Sequence, residues 1–202
     1  MVFPMMLRLE GRKCLVVGAG RVAAEKAAGL LRDRAEVVVV APQAVAWIRE
    51  KARSSKLVWR HRRFSSRDVR GAFLVVAATN SAATNCAVFR ACQTRGVLCN
   101  VVDDPEHCDF YYPAVVRRGP LQIAISTDGN SPALASRLRQ ELERQFGPEW
   151  KPFVEHVGKL RQELLRTDMP LEKKRERLAE LASQKAFQNY RRQRARAARR
   201  GK

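Results

Sequence analysis

The stretch Leu15-Val16-Val17-Gly18-Ala19-Gly20-Arg21-Val22-Ala23 decides the fold of this 202-residue chain. An apolar run ends in two glycines, and a segment of helical composition follows. In this G-x-G-x-x-A spacing, Gly18 permits a tight turn, Gly20 lets a ligand approach the backbone, and Ala23 lets the helix pack closely. A second apolar run, residues 36–40, follows at the distance of a strand–helix–strand unit. This context predicts a dinucleotide site with the pyrophosphate at the helix N-terminus.

The first hundred residues alternate between short apolar runs and helical segments. The apolar runs are residues 13–17, 36–40, 56–60, 73–77 and 97–102. The helical segments are residues 21–32, 44–53 and 81–94, the last with Asn80 as its expected N-cap. Continuous apolar strands joined by helices are typical of a parallel sheet that is covered on both faces. We therefore predict an α/β domain with a Rossmann-type parallel sheet over residues 1–113.

The pattern changes after Pro105. Two β-like runs, residues 111–117 and 121–126, flank Arg118-Gly119-Pro120 and predict a hairpin. Ser131-Pro132 is a good helix start, and further helices are predicted at residues 149–166 and 171–186. We divide this half into a small α+β segment at 114–146, a helical domain at 147–186, and a basic tail at 187–202 that we expect to be disordered.

The net charge of +19 is concentrated in two stretches. Residues 51–70 contain eight basic side chains and one acid, and residues 185–202 contain eight basic side chains and no acid. Such an excess favours a polyanionic partner, which includes nucleic acid, an acidic membrane surface, and a small molecule with many carboxylates or phosphates. For the tail we favour a solvated segment over a nucleic-acid-binding one, because only Tyr190 lies beside it for base stacking.

Several classes of protein are disfavoured by the composition. Five cysteines without a C-x-x-C pair argue against a disulfide framework and against a Cys-rich zinc site. Asp103, His107 and Cys108 match no common metal-ligand spacing, so we predict no metal site. No apolar run approaches the roughly 18 residues of a membrane helix, and the first twelve residues lack the apolar core of a signal peptide. We predict a soluble, cytoplasmic protein.

Two strand ends bear on the predicted ligand site. The fifth apolar run ends in Asn100-Val101-Val102-Asp103-Asp104-Pro105, and ligands of open parallel sheets lie beyond the carboxyl ends of the strands. Asp103 is therefore placed near the cofactor, although an Asp-Asp-Pro strand end alone favours a turn or a helix cap. The second strand ends in Val40-Ala41-Pro42-Gln43. It lacks the acid that binds the NAD ribose, so the choice between NAD and NADP stays open.

Five segments stand in a fixed order between residues 4 and 165. They are the glycine turn through Lys26, Ala77-Ala78-Thr79-Asn80, Cys99-Asn100-Val101-Val102-Asp103, Phe110-Tyr111-Tyr112-Pro113-Ala114, and Ile125-Ser126-Thr127-Asp128-Gly129-Asn130-Ser131-Pro132. With these segments in this order, the chain resembles the precorrin-2 dehydrogenase/sirohydrochlorin ferrochelatase family, which includes the N-terminal module of siroheme synthase.

The resemblance implies NAD-dependent oxidation of precorrin-2 to sirohydrochlorin by a homodimer, with residues 114–146 as the dimerisation segment. Some members also insert ferrous iron to give siroheme. The family's key aspartate falls on Asp103, which we expect to be the catalytic residue. Cofactor contacts are expected at Gly18, Gly20, Arg21, Val22, Pro42, Gln43 and Thr79. Substrate contacts are expected at Asn100, Ser126, Thr127 and Asn130.

The implied substrate suits the composition. Precorrin-2 carries eight carboxylates, which a strongly basic protein attracts. Its oxidation needs a hydride acceptor, NAD, and a proton acceptor such as Asp103. The alternative is a non-catalytic, nucleotide-sensing domain whose basic tail binds nucleic acid. A sensor has no need of the segments at 100–103 and 126–132, so we expect neither nucleic acid nor a membrane as partner.

Overall fold

The computed structural model describes residues 2–200, with side-chain environments for residues 2–197, and the chain forms two compact units that meet in sequence between Tyr112 and Pro113. In the first unit, five strands alternate with three helices. Their bounds are β1 Lys13–Val17, α1 Arg21–Arg32, β2 Glu36–Val40, α2 Ala46–Arg53, β3 Val58–Arg60, β4 Leu74–Ala77, α3 Ala82–Gln93 and β5 Leu98–Val101. Short 3-10 turns lie at Ser66–Val69 and Pro105–His107.

The five strands form one parallel sheet in the order β3-β2-β1-β4-β5. The chain moves outward from β1 to β3 and then returns to place β4 on the other side of β1. The direction of winding therefore reverses between β1 and β4, and this reversal leaves a crevice at their carboxyl ends. The predicted Rossmann-type sheet is confirmed.

Apolar side chains cover both faces of the sheet. Alternate side chains of β1 lie on opposite faces of the sheet. Cys14 and Val16 pack with α1 and α2, while Leu15 and Val17 pack with α3. A strand that is buried on both sides reads as a continuous apolar run, which is why the runs predicted the strands. All five cysteines are free, and Cys14, Cys92 and Cys99 are buried in these two clusters.

The start of α3 differs from the prediction. The N-cap is Ser81, whose hydroxyl accepts a hydrogen bond from the Thr84 amide at 3.2 Å. Asn80 lies one residue earlier and is exposed. The reason is local, because the Thr79 hydroxyl accepts the Ser81 amide at 3.1 Å and so fixes where the helix begins.

The second unit combines a hairpin with four helices. Their bounds are β6 Ala114–Arg118, β7 Leu121–Ile125, α4 Pro132–Gln145, α5 Trp150–Leu165, α6 Leu171–Leu181 and α7 Gln184–Arg200. The two strands are antiparallel, with Arg118 opposite Leu121. Arg118 also donates to the carbonyls of Glu143 and Phe146 at 3.0 and 2.7 Å, which satisfies the C-terminal end of α4. None of the helices within residues 2–200 is long and apolar enough to cross a membrane.

The C-terminal region is more ordered than its charge indicates. The helix predicted over 171–186 is interrupted after Leu181, and Ser183 caps a new helix by accepting the Ala186 amide at 3.1 Å. The tail predicted to be disordered is helical as far as Arg200, while residues 201 and 202 lie outside the described residues. Phe187 explains the difference, because it is 4% exposed and stacks on Trp150 with ring centroids 4.3 Å apart.

A buried carboxylate organises the basic stretch at residues 51–70. Asp68 is 2% exposed and accepts two hydrogen bonds from Arg62, at 2.6 and 2.8 Å, and one from Arg60 at 2.7 Å. The Ser65 amide donates a further bond at 2.9 Å. Burial raises the pKa of Asp68, but the bonds from Arg62, Ser65 and Arg60 outweigh it and lower the pKa to about 2. Two of the eight basic residues in this stretch therefore share one internal carboxylate, which offsets one of their two positive charges.

We expect Asp68 to make folding stability depend on acid pH. Because the folded-state pKa lies below the ordinary value of 3.8, the carboxylate stabilises the fold above about pH 4, and this stabilisation is lost as pH falls toward about 2. At neutral pH, Asp68→Asn is expected to lower the free energy of unfolding by about 2 kcal/mol. Urea denaturation between pH 6 and pH 2 measures the free energy of unfolding of both proteins. The free energy of unfolding of Asp68→Asn should fall less with decreasing pH than that of the unmodified protein. Equal acid profiles for the two proteins would contradict this assignment.

Candidate functional site

The turn after β1 is fixed to the strands on either side. Gly18 has a φ of +103°, and a Cβ at this position would lie 2.2 Å from the carbonyl oxygen of Ala78, just after β4. The Gly18 amide donates to the Val40 carbonyl at the end of β2 at 3.0 Å. No other residue type fits at Gly18, because both the left-handed backbone and the close approach to β4 exclude a side chain.

The N-terminus of α1 is open to a ligand. Gly20 is the N-cap, it is exposed, and a Cβ placed on it would meet no heavy atom within 4 Å. No side chain caps this helix, whereas serine hydroxyls cap α3 and α4. The amides of the first turn, which contains Arg21 and Val22, are therefore available to an external anion. These features fit the pyrophosphate of a dinucleotide.

The ends of β2 and β4 border the same crevice. Pro42 and Gln43 follow β2 and are both exposed. Thr79 follows β4, and its hydroxyl bonds the Asn85 side chain at 2.7 Å, while the Asn85 amide group donates to the Thr79 carbonyl at 3.1 Å. Asn85 thus holds the loop that carries Thr79. No sequence pattern singled out Asn85, although a polar amide in the first turns of a helix commonly bonds the preceding loop.

Asp103 differs from its neighbour Asp104. Asp103 has a φ of +61° and is exposed, and its carboxylate has no hydrogen bond or ion pair within the part of the chain that the structure describes. Asp104 is half-buried and its Oδ2 lies 2.7 Å from Nδ1 of His107. A left-handed backbone costs a non-glycine residue about 1 kcal/mol or more and is often found at functional sites. Asp103 is therefore the more exposed of the two aspartates and the one without a hydrogen bond within the described residues, and its catalytic role stays a prediction.

Asn100 holds the segment that follows Asp103. Its side chain is 7% exposed and donates to the Phe110 carbonyl at 2.8 Å and to Sγ of Cys108 at 3.2 Å. The Cys108 thiol in turn donates to the Val101 and Asp104 carbonyls, both at 3.2 Å. Contact between Asn100 and the substrate stays a prediction. Within residues 2–197, no three His, Cys, Asp or Glu side chains are grouped so that they could hold a metal ion.

Lys26 and Tyr112 form a pair that the sequence analysis did not single out. The Lys26 ammonium lies over the Tyr112 ring, 3.8 Å from its centroid. Burial lowers the pKa of Lys26, and the charges of Glu25, Asp103 and Cys108 partly oppose this. Burial also raises the pKa of the Tyr112 hydroxyl. The available signal was a lysine that interrupts the otherwise small and apolar stripe of α1.

The remaining predicted substrate residues lie in the second unit and form one turn. The Ser126 hydroxyl accepts the Asp128 amide at 3.2 Å, and the Thr127 hydroxyl accepts the Ser131 amide at 3.1 Å. The Asn130 side chain donates to the Thr127 carbonyl at 2.9 Å. These contacts shape the entry into α4. Substrate contact at Ser126, Thr127 and Asn130 stays a prediction.

The two glycines of the turn should respond differently to an added methyl group. Gly18→Ala is expected to lower the free energy of unfolding by about 3 kcal/mol or more, because it strains the backbone and strikes the Ala78 carbonyl. Gly20→Ala adds its methyl group to open space, so its stability should change by less than about 1 kcal/mol. It should nevertheless weaken dinucleotide binding about tenfold by blocking the approach of the pyrophosphate.

Thermal unfolding and titration with NADH separate these two effects. A Gly20→Ala variant that binds NADH as tightly as the unmodified protein would show that the pyrophosphate lies elsewhere.

Comparisons with known proteins agree with this geometry. A family model described as NAD(P)-binding matches residues 5–114, and one described as the central segment of sirohaem biosynthesis proteins matches residues 118–145. Siroheme synthases from Neisseria meningitidis and Photorhabdus laumondii are 40% and 38% identical over 159 residues, which is 79% of this chain. These alignments cover 33% and 34% of the relatives. The chain thus spans about a third of the length of the curated relatives it matches.

A solved structure gives similarity over a whole chain. SirC, described as a precorrin-2 dehydrogenase, aligns with a TM-score of 0.79 and 29% identity over 92% of each chain. This match includes both units, each of which is also matched by a family model. The chain therefore belongs to the NAD(P)-binding family that the first model describes, and it carries the central segment of sirohaem biosynthesis proteins directly after that domain.

Proposed function

We propose that this chain catalyses the NAD-dependent dehydrogenation of precorrin-2 to sirohydrochlorin. The observation that carries the proposal is the unbonded carboxylate of Asp103, which a left-handed backbone presents beyond the end of β5, at the same sheet edge as the open N-terminus of α1. The similarity to SirC over both units supports the choice of substrate. The matched relatives are named siroheme synthases, which agrees with this choice of substrate.

The proposed reaction removes two hydrogens from the macrocycle, one as a hydride and one as a proton. NAD, when bound, would supply the acceptor for the hydride. The Gly18–Gly20 turn and the first-turn amides of α1 would hold its pyrophosphate and so orient the cofactor. Asp103 accepts the proton, because its carboxylate is not used by any hydrogen bond within the described residues.

The charge of the protein suits this substrate. A chain of net charge +19 attracts a tetrapyrrole with eight carboxylates and raises its local concentration. We further propose that the protein works as a homodimer, as its resemblance to the family implies, and that it is cytoplasmic, as its composition predicts. Ferrous iron is a second substrate of some members of that family. Its ligands during insertion would be the pyrrole nitrogens, since one carboxylate is a poor metal site.

Asp103→Asn is expected to lower kcat by about 100-fold or more, because it removes the proton acceptor and changes little else. NADH affinity and thermal stability should stay close to those of the unmodified protein. The assay follows NADH formation and the sirohydrochlorin spectrum, with enzymatically prepared precorrin-2 and either NAD or NADP. Asp104→Asn serves as the matched control and should retain activity, since Asp104 is paired with His107.

Two outcomes would contradict these assignments. Full turnover by Asp103→Asn would remove the role of Asp103, while leaving the dehydrogenase reaction in place. Absence of NADH with both cofactors would overturn the reaction itself and favour the nucleotide-sensing alternative. Addition of ferrous iron to the sirohydrochlorin product tests iron insertion in the same cuvette.

A further inference from the structure

The ammonium of Lys26 is held in a defined place beside the proposed active site. It lies 3.8 Å from the centroid of the Tyr112 ring, so the negative face of the ring stabilises its charge. Tyr112 is fixed in turn, because its ring packs edge-on against Phe110 at 5.7 Å. Phe110 itself packs against the same apolar cluster as α1. Tyr112 is 41% exposed, so the ammonium is positioned by its contact with one face of a ring at the surface of the unit.

Lys26 has no acceptor for its hydrogen bonds. An ammonium has three N–H donors, and within the described residues Nζ of Lys26 makes no hydrogen bond and no ion pair. The acid next to it, Glu25, is paired with Arg21 at 3.4 Å. Lys26 is also half-buried, so water can satisfy its donors only in part. A partly desolvated cation without an acceptor is unfavourable unless a ligand supplies the missing anion.

The contacts around Lys26 indicate which of the two proposed ligands it can bind. Asn100, on β5, donates to the Phe110 carbonyl, and the Phe110 ring contacts the Tyr112 ring over which Lys26 lies. These contacts connect Lys26 to the strand that leads into Asp103, and the charge of Asp103 partly opposes the lowered pKa of Lys26. Val102, the residue before Asp103, packs against the cluster that contains Ala23 and Ala27 of α1. A ligand as large as a tetrapyrrole can extend from Asp103 along this end of the sheet to Lys26. Of the two proposed ligands, the tetrapyrrole reacts at Asp103 and carries a carboxylate arm on every side of its ring.

We propose that the Lys26 ammonium, supported by the Tyr112 ring, binds a carboxylate arm of the tetrapyrrole and so orients the macrocycle against Asp103. The inference rests on the proposed function, because it takes its ligand from the proposed substrate. It assigns to Lys26 a role in substrate binding and no part in proton or hydride transfer. A charge-assisted hydrogen bond between an ammonium and a carboxylate supplies both affinity and orientation.

The first test compares steady-state kinetics of Lys26→Gln with those of the unmodified protein. We expect KM for precorrin-2 to rise about tenfold, with kcat within about threefold and KM for NAD unchanged. Lys26→Arg keeps the charge and should restore most of the affinity. Tyr112→Leu removes the ring under the ammonium and should give a smaller increase, of about threefold. Lys56→Gln is the matched control, since it removes one exposed positive charge from the same domain.

The second test measures binding without turnover. Uroporphyrin is a stable tetrapyrrole with eight carboxylates, and its fluorescence reports binding to the protein without cofactor. We expect Lys26→Gln to bind it about tenfold more weakly than the unmodified protein and than Lys56→Gln. High salt should reduce this difference, because it screens the ion pair.

The outcomes separate the inference from the proposed function. Suppose that the unmodified protein oxidises precorrin-2, but Lys26→Gln leaves KM for precorrin-2 unchanged, whatever its effect on KM for NAD. The inference about Lys26 is then wrong, and the proposed function stands. If the unmodified protein does not oxidise precorrin-2, the proposed function fails. Uroporphyrin binding then tests separately whether Lys26 binds a tetrapyrrole carboxylate. Equal uroporphyrin affinities in Lys26→Gln and Lys56→Gln would then overturn the inference as well.

Discussion

The close approach between the turn after β1 and the backbone after β4 is the constraint on which the first unit depends. Only the absence of a side chain at Gly18 allows it, since a Cβ would lie 2.2 Å from the Ala78 oxygen. The approach brings the start of α1 over the crevice between two neighbouring strands. The open amides of α1, the loop at Thr79 and the carboxylate of Asp103 consequently share one edge of the sheet.

The sheet was predictable from the sequence because its signals are local. Each buried strand reads as an apolar run, and the glycine turn marks the connection between β1 and α1. The tail was not predictable in this way, since the order of α7 depends on Phe187 stacking on Trp150, which lies far away along the chain. The same limit applied to Lys26. Its position in the sequence was evident, but its environment is created by Tyr112 at the other end of the unit.

Net charge alone is a poor guide to where anions bind in this protein. Arg60 and Arg62 belong to the most basic part of the first unit, yet both are committed to the buried carboxylate of Asp68. Lys26 contributes a single charge and has no anionic partner within the described residues. The general excess of positive charge can attract an acidic substrate over a distance. The orientation of that substrate depends on the cations that contacts within the fold hold beside the site, such as Lys26 over the Tyr112 ring.

The left-handed backbone at Asp103 has a consequence for the evolution of this chain. Glycine adopts such a conformation without strain, so Asp103→Gly would relieve the backbone strain, while the greater freedom of glycine in the unfolded chain offsets part of the gain. A selection for thermostable variants would therefore put this aspartate under pressure from stability alone. Under the proposed function, the strained backbone at Asp103 is a stability–activity trade-off, in which the fold gives up some stability to present an exposed carboxylate.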